Sequence, residues 1–458
     1  MKIEQLYPIV NAIGKNITKG QYNVVDHTTF VNFGNDVLSS EVNREEFYNT
    51  LVDRIGKTII AIREYQHSNR EVFVDSFTFG CILQKISFKL KDAELNSDWD
   101  NTGDKLLNPY NVKAKGGIIQ KLYDQSLPTW AYTDVIYNTQ LESAFVDETK
   151  LIALIDGIYT RMMNSREVAI EGLSDVAIST SALYRAEMFA NPKGINTNRV
   201  FRDLLGEYLD LHPTATLTPE DSINDNDFLQ FVCIELGIVI PKVGKLTTMY
   251  NDGTVERSSN AKAGDLIIEM PTKFTKTYSV KLASNTYHKS MVELPGYNEV
   301  PYWVSPADEM AIKGNDGTVD YSINNVICVM RDKDCVVCTL DKDKFVSFYD
   351  TLNDRTIIKG TAERRYISDP SENSLVFYLD GTAKTVSFNK NAGTGTMENV
   401  TTHKNYLIAP ECTFTAPSNK VFSHWVVDGA ETEEIKVGEI VNLNKSAITL
   451  KAVWIDAA

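Results

Sequence analysis

Residues able to do chemistry are present in this chain but badly placed for it. Cys335 and Cys338 have the C-x-x-C spacing of a metal knuckle. A knuckle turns tightly between its thiolates, whereas Val336 and Val337 favour a strand, on which residues three apart point to opposite faces. Core packing therefore outweighs metal binding. The six histidines (His27, His67, His212, His288, His403 and His424) include no H-x-x-x-H pair. Gly393-Thr394-Gly395 follows a strand-like run, but the third glycine and the helix of a dinucleotide loop do not follow. At Gly244-Lys245 a phosphate loop would need a hydroxyl residue next and a glycine five positions earlier; Leu246 and Val239 stand there. Asp221, Asp225 and Asp227 lack the glycine of a calcium loop and read as a solvated cluster. No G-x-S-x-G occurs. The sequence thus proposes no catalytic residue, no cofactor and no metal site, and the expectation is a protein that is not an enzyme.

Bulk properties narrow the classes further. A length of 458 residues exceeds one compact core and predicts two or three domains. The formal charge of -15 opposes a duplex-binding role, which needs a basic face, and suits a protein that sits near polyanions without adhering to them. No apolar run is long enough to cross a bilayer. The segment Met1-Lys-Ile-Glu-Gln-Leu-Tyr-Pro8 has no apolar h-region, so no signal peptide is expected. Six cysteines are sparse, as for reduced thiols.

The elements that would position any site divide the chain as follows. Residues 1–45 are mixed and polar, with an apolar helical patch at Leu6, Ile9, Val10 and Ile13, and read as an extended arm. Asn43 with Glu46 resembles a capping box opening a helix over 46–68, where Phe47, Leu51, Ile55 and Ile59 share a face. Residues 69–135 read as a long hairpin with a polar tip at 96–103. Its aromatics Phe77, Phe79, Phe88 and Trp99 cannot all be buried within one subunit and point to intersubunit contact. Residues 148–183 form one long helix inside a mixed region spanning 136–367, in which 265–269 and 279–283 read as strands. Asp-Gly-Thr recurs at Asp252, Asp316 and Asp380 with unlike flanks, which marks three turns rather than a repeat. Residues 368–374 read as a linker. Residues 375–458 read as a small β-domain whose core is Phe388, Phe422, Trp425 and Trp454.

Two resemblances join this reading. The tail resembles the internalin-type B repeat, or Listeria–Bacteroides repeat, on Val386, Phe388, Asn391, Gly393 to Met397, Ala416-Pro417, Lys420, Phe422, Trp425 and Ala452-Val453-Trp454. It departs at Ala392, where glycine is commoner. The resemblance implies a β-grasp-like exposed appendage. The body resembles the major capsid proteins of phi 29-type podoviruses on Ile9-Val-Asn-Ala-Ile13, Leu51-Val-Asp-Arg-Ile-Gly56, Leu141-Glu-Ser-Ala-Phe145, Ile155-Asp-Gly-Ile158, and Asp341 to Phe345 with Phe348-Tyr-Asp350.

That second resemblance implies an α+β subunit of the Hong Kong 97 type: N-arm, E-loop hairpin (69–135), peripheral domain with a spine helix (148–183) and axial domain. It implies a virion protein assembled in the host cytoplasm. Self-association into pentamers and hexamers would enclose double-stranded DNA, with scaffolding and portal proteins as partners. A different class, a virion or surface adhesin presenting the B-repeat-like module, is the alternative; the single repeat and the missing signal peptide and wall anchor stand against it.

Overall fold

The computed structural model describes residues 8, 10–12, 14, 15, 23–40, 42–47, 72–74, 82–88, 118–124, 129–190, 199–245, 249–251, 266–283, 293–303, 310–313 and 319–456. Two units make up the chain. One comprises 1–82, 124–174 and 337–366; the other comprises 83–123, 175–336 and 367–458. The described elements begin with α1 (His27–Leu38), β1 (Val72–Val74), β2 (Ile82–Phe88), β3 (Ile118–Asp124), β4 (Thr129–Tyr137), α2 (Asn138–Ala144) and α3 (Glu148–Ala190). Next come β5 (Phe201–Asp203), α4 (Leu204–Leu211), α5 (Pro219–Ser222), α6 (Asn226–Val243), β6 (Leu266–Pro271), α7 (Thr272–Tyr278) and β7 (Asn298–Val300). Then follow β8 (Met310–Lys313), β9 (Val319–Ile323), β10 (Val326–Asp332), β11 (Val336–Asp350), β12 (Arg355–Ser368) and β13 (Ser374–Tyr378). The chain ends in β14 (Lys384–Asn389), β15 (Val400–Thr402), β16 (Tyr406–Ile408), β17 (Lys420–Val427), β18 (Ala430–Ile435), β19 (Ile440–Asn442) and β20 (Ala447–Asp456). The α+β class is as expected.

In the first unit, a sheet of order β1-β11-β12-β4 carries nine antiparallel residue pairs between β12 and β4. Residues 27–47 are not an extended arm. Phe30, Phe33, Val37 and Phe47 are buried with Phe145, because an aromatic every three or four residues gives the helix one large apolar face. The Phe47 and Phe145 rings lie 5.4 Å apart. Gly34 makes the approach possible, since a Cβ there would sit 2.7 Å from the Phe145 ring. Asp26 caps α1 by accepting from Thr29 N at 2.8 Å. The box expected at Asn43 is replaced by a Ser40 cap, whose hydroxyl accepts from Asn43 N at 3.2 Å. Leu51, Ile55 and Ile59 lie outside the described residues.

In the second unit, the sheet of order β5-β13-β10-β6-β7 is covered on both faces. Leu375 and Phe377 point into one core with α4 and α6; Val376 and Tyr378 point into another with Ala182, Leu183, Ala186 and Phe189 of α3. This corrects the expected linker. Ser371, Asn373 and Ser374 are buried, and β13 is an interior strand paired with both β10 and β5. A strand buried on both faces is a continuous apolar run with no alternation to mark it. The same apolar face carries α3 seven residues past the expected end, to a length of about 64 Å. Residues 279–283 extend α7 as one turn of π-helix rather than forming a strand; Phe274, Tyr278 and Leu282 recur every four residues and are all buried.

The turn before β13 is held from α3 by the buried Arg185. Its guanidinium donates to Ser374 Oγ at 2.7 Å, to Pro370 O at 2.9 Å and to Glu372 O at 2.6 Å. Fixed acceptors at three points suit the rigid guanidinium fork and not a lysine.

The C-terminal domain is a sheet of order β15-β14-β20-β17-β18 with β14 and β20 parallel. A clamped joint, not a free tether, connects it to the rest of its unit. The Asp203 carboxylate accepts from Gly206 N at the start of α4, and also from Asp380 N at 3.0 Å and Gly381 N at 2.9 Å. Burial pushes the Asp203 carboxyl up, against these three donors. Gly381 has φ +64 beneath Leu205 and Leu209, so the Asp380-Gly381 turn needs glycine. Beyond the joint, Asp210 accepts from Thr402 Oγ1, from His403 N at 2.7 Å and from the His403 ring at 3.1 Å. Asn405 donates to Phe201 O at 2.6 Å, and Asn444 donates to Ala190 O at 2.7 Å. A Cβ on Gly206 would collide with His403 O, so the loop sits directly on the helix.

Two outcomes follow from these contacts. Arg185→Met should lose about 3–5 kcal/mol by leaving two buried carbonyls and a hydroxyl unpaired, read as a lower urea midpoint from Trp303 fluorescence. Asp210→Ala should speed amide exchange at His403 while the C-terminal sheet stays protected. Burial raises Asp210, but its bonds to Thr402 and His403 outweigh that and hold it below the usual 3.8. The docking contribution is therefore present above 3.8 and lost as pH falls through the lower, folded value. Protection factors at 402–405 that stay unchanged as pH falls from about 6 to about 2 would contradict this.

Candidate assembly site

Of the residues expected at intersubunit contacts, Phe77, Phe79 and Trp99 lie outside the described residues. Phe88 ends β2, which pairs with β3 as a two-stranded ribbon, and its side chain is outside the description.

The structure shows an exposed apolar surface that the sequence reading passed over. The long β11–β12 hairpin of the first unit ends in Leu352, 93% exposed, between Asp350 and Arg355, whose side chains pair at 2.8 Å. Alternate residues Val346 and Phe348 stand exposed on β11, and Tyr137 is exposed on β4. Asn138, Tyr349 and Asp354 hydrogen-bond to one another beside the tip, and the Asp354 carboxylate pushes the Tyr349 hydroxyl up. The braced hairpin thus holds Val346, Phe348 and Leu352 in water. The signal was available: Lys344, Val346 and Phe348 alternate with period two.

The residues expected to form the C-terminal core are placed together. Trp425 is fully buried, with Phe422 at 5.0 Å and Phe388 at 5.4 Å between ring centroids; Trp454 packs edge-on to Phe422 at 5.9 Å. Trp425 Nε1 donates to Pro410 O at 2.9 Å, and Trp454 Nε1 donates to Asn391 O at 2.8 Å. A Cβ on Gly393 would strike the Trp454 ring at 2.7 Å. Gly395 has φ +98 and Ala392 φ +70.

Cys335 closes a short 3-10 turn, Cys338 lies in β11, and both are buried; burial pushes the Cys335 thiol up. The acidic cluster is not simply solvated. Asp225 caps α6 by accepting from Phe228 N at 2.8 Å, and Asp221 N donates to the cap Thr218 at 3.2 Å. Among the described residues no three His, Cys, Asp or Glu side chains are grouped to hold a metal, and no helix is long and apolar enough to cross a membrane.

One substitution tests the Gly-rich turn. An alanine with positive φ costs about 1–2 kcal/mol. Glycine recovers this less about 0.4–1 kcal/mol of unfolded-chain entropy. Ala392→Gly should therefore raise the melting temperature of the C-terminal domain, and an unchanged or lower value would contradict the left-handed assignment.

Comparison with known proteins places the chain. No curated protein matches it. It is similar to a chain of the Staphylococcus phage Andhra capsid, with 10% identity and TM-score 0.44, covering 69% of this chain and 84% of that one. It is also similar to a chain of the mature capsid of bacteriophage PhiM1, with 9% identity and TM-score 0.39, covering 68% and 86%. For a chain of the cyanophage P-SCSP1u capsid the values are 11%, 0.38, 68% and 86%. The family described as Phi29-like phage major capsid protein matches residues 7–378, most of the chain and the whole body up to the last residue of β13. The chain belongs to the Phi29-like phage major capsid protein family, whose members form the capsid shell.

Proposed function

We propose that this protein builds the phage head as a Hong Kong 97-type subunit. Copies join as pentamers and hexamers into an icosahedral or prolate shell that encloses double-stranded DNA without sequence-specific contacts. The observation that supports this best is the end of the family match at Tyr378, where the two-sided sheet is complete and the clamped joint to the C-terminal domain begins. The long α3 serves as the spine, and the braced β11–β12 tip supplies an apolar contact to a neighbouring copy. Its role is structural rather than catalytic. Each interface is modest, and closure of the shell multiplies them. The net charge of -15 keeps the inner surface from binding the genome.

Scaffolding and portal proteins act as partners during assembly in the host cytoplasm. The C-terminal domain, of B-repeat-like sequence, projects from the shell and is dispensable for closure. An adhesin function could belong to that domain, which lies beyond the family match.

Co-expression with the candidate scaffold followed by electron microscopy should yield closed shells. A protein that stays monomeric under every assembly condition and binds a glycan would refute the shell function. Deleting 385–458 should still give shells. Deleting 375–458 removes most of β13 and should give insoluble protein. Leu352→Asp should cut shell yield at least tenfold while leaving the monomer's melting temperature within about 2 °C, as expected for an exposed position.

A further inference from the structure

The hairpin that carries Leu352 is tied to the core of its own unit by a short polar path. β12 and β4 run antiparallel up to the last residue of β4, where Arg355 pairs with Tyr137. α2 begins at the next residue, Asn138, and its Leu141 and Ala144 are buried with Phe30, Phe33 and Phe145. The start of this helix therefore has a fixed position. The first backbone N–H groups of a helix have no acceptor within it. Asn138 N finds one in Asp354 O, at 3.2 Å. The buried Asn138 side chain continues the tie. Its Nδ2 donates to the Asp354 carboxylate and to Tyr349 Oη at 3.3 Å, and the Tyr349 hydroxyl donates to the same Asp354 oxygen. Asp354 reaches back to α2 because its φ is +44, a left-handed conformation that aspartate and asparagine tolerate better than most residues.

Asp350, on the other side of the turn, has a different task. It accepts from Leu352 N at 3.2 Å, from Asn353 Nδ2 at 2.8 Å and from Arg355 Nε at 2.8 Å, all of them partners within the hairpin. Asp350 thus holds the shape of the turn, and Asp354 ties that shape to α2. Shape alone would leave the direction of Leu352 unset. A closed shell requires one defined angle between copies. Each contact in it is modest, so orientational freedom lost on docking subtracts from a small total. A tip already aimed in the free subunit avoids that loss. We infer that Asp354, with Asn138 and Tyr349, is the positioning group that aims Leu352 at a neighbouring copy. The inference rests on the tip contact proposed above.

The test uses variants of the full-length chain. Asp354→Gly keeps the left-handed backbone and removes the carboxylate. It should speed exchange of the Asn138 amide at least tenfold and cut shell yield with scaffold at least tenfold. The melting temperature should fall by no more than about 4 °C, the scale of one lost hydrogen bond. Asp354→Asn, which retains the acceptor oxygen, should recover both the slow exchange and the yield. Added to Leu352→Asp, the glycine should cause no further loss of shells, because a tip without its apolar residue gains nothing from being aimed. A residue that merely stabilised the fold would lower the yield in both backgrounds alike. Failure of the wild-type chain to assemble, or normal shells from Leu352→Asp, sinks the tip contact itself and this inference with it. If Leu352→Asp loses shells, four results overturn the aiming alone. They are normal yield from Asp354→Gly, unchanged Asn138 exchange in that variant, lost yield in Asp354→Asn, and an additive loss in the double variant. Should Asp354→Gly fail to fold, Tyr349→Phe deletes a single hydroxyl and is read by the same exchange and yield measurements. Unchanged exchange or unchanged yield there overturns the inference equally.

Discussion

The second unit depends on one buried cation. Arg185 lies on the long helix, almost two hundred residues before the turn it binds, and joins the helix to the return of the chain. The turn at 369–374 must be buried for β13 to enter between β5 and β10, and a buried turn brings carbonyls that need donors. A guanidinium has enough N–H groups in one plane to serve two of them and a hydroxyl. An interior strand of the sheet is therefore placed by a polar contact, and the apolar packing on its two faces follows. The hydrophobic effect supplies most of the free energy but is non-directional; the arginine fixes where the strand starts.

Some of this was legible in the residues, for identifiable reasons. The long helix was visible because Leu151, Ile158 and Met162 repeat at helical spacing, and the C-terminal sheet because large aromatics recur in a short span. The boundary between body and C-terminal domain was not. Ser368 to Ser374 is polar and turn-rich, which usually means solvent, and nothing local shows that an arginine far upstream satisfies it. The seven strand residues of β10 are buried without alternation, so a two-sided core leaves no period-two signal. The 279–283 segment shows the opposite failure: an alternating pentapeptide read in isolation hid the four-residue period that Phe274 and Tyr278 had begun.

The proposed assembly surface was legible only in outline. The E-loop aromatics drew attention because bulky residues in a polar setting stand out. The β11–β12 tip is quieter, with one leucine among Thr351, Asn353 and Asp354, and its exposure follows from tertiary placement rather than composition. Contact surfaces of this kind depend on topology, whereas catalytic sites announce themselves by residue type. Here Cys335 and Cys338 became thiols in a core, and Asp225 became a cap on a helix.

Asp203 has a consequence for engineering. Its carboxylate is shared between the start of α4 and the exit of the chain, and what it asks of the exit is two successive backbone N–H groups in an Asp-Gly turn. Those groups carry no side-chain identity. A foreign domain grafted after Gly381 would inherit a fixed direction of departure from the body, set by the host and not by the guest. The joint thus makes the chain suited to ordered display, in which many copies of a chosen cargo would leave a surface at one common angle.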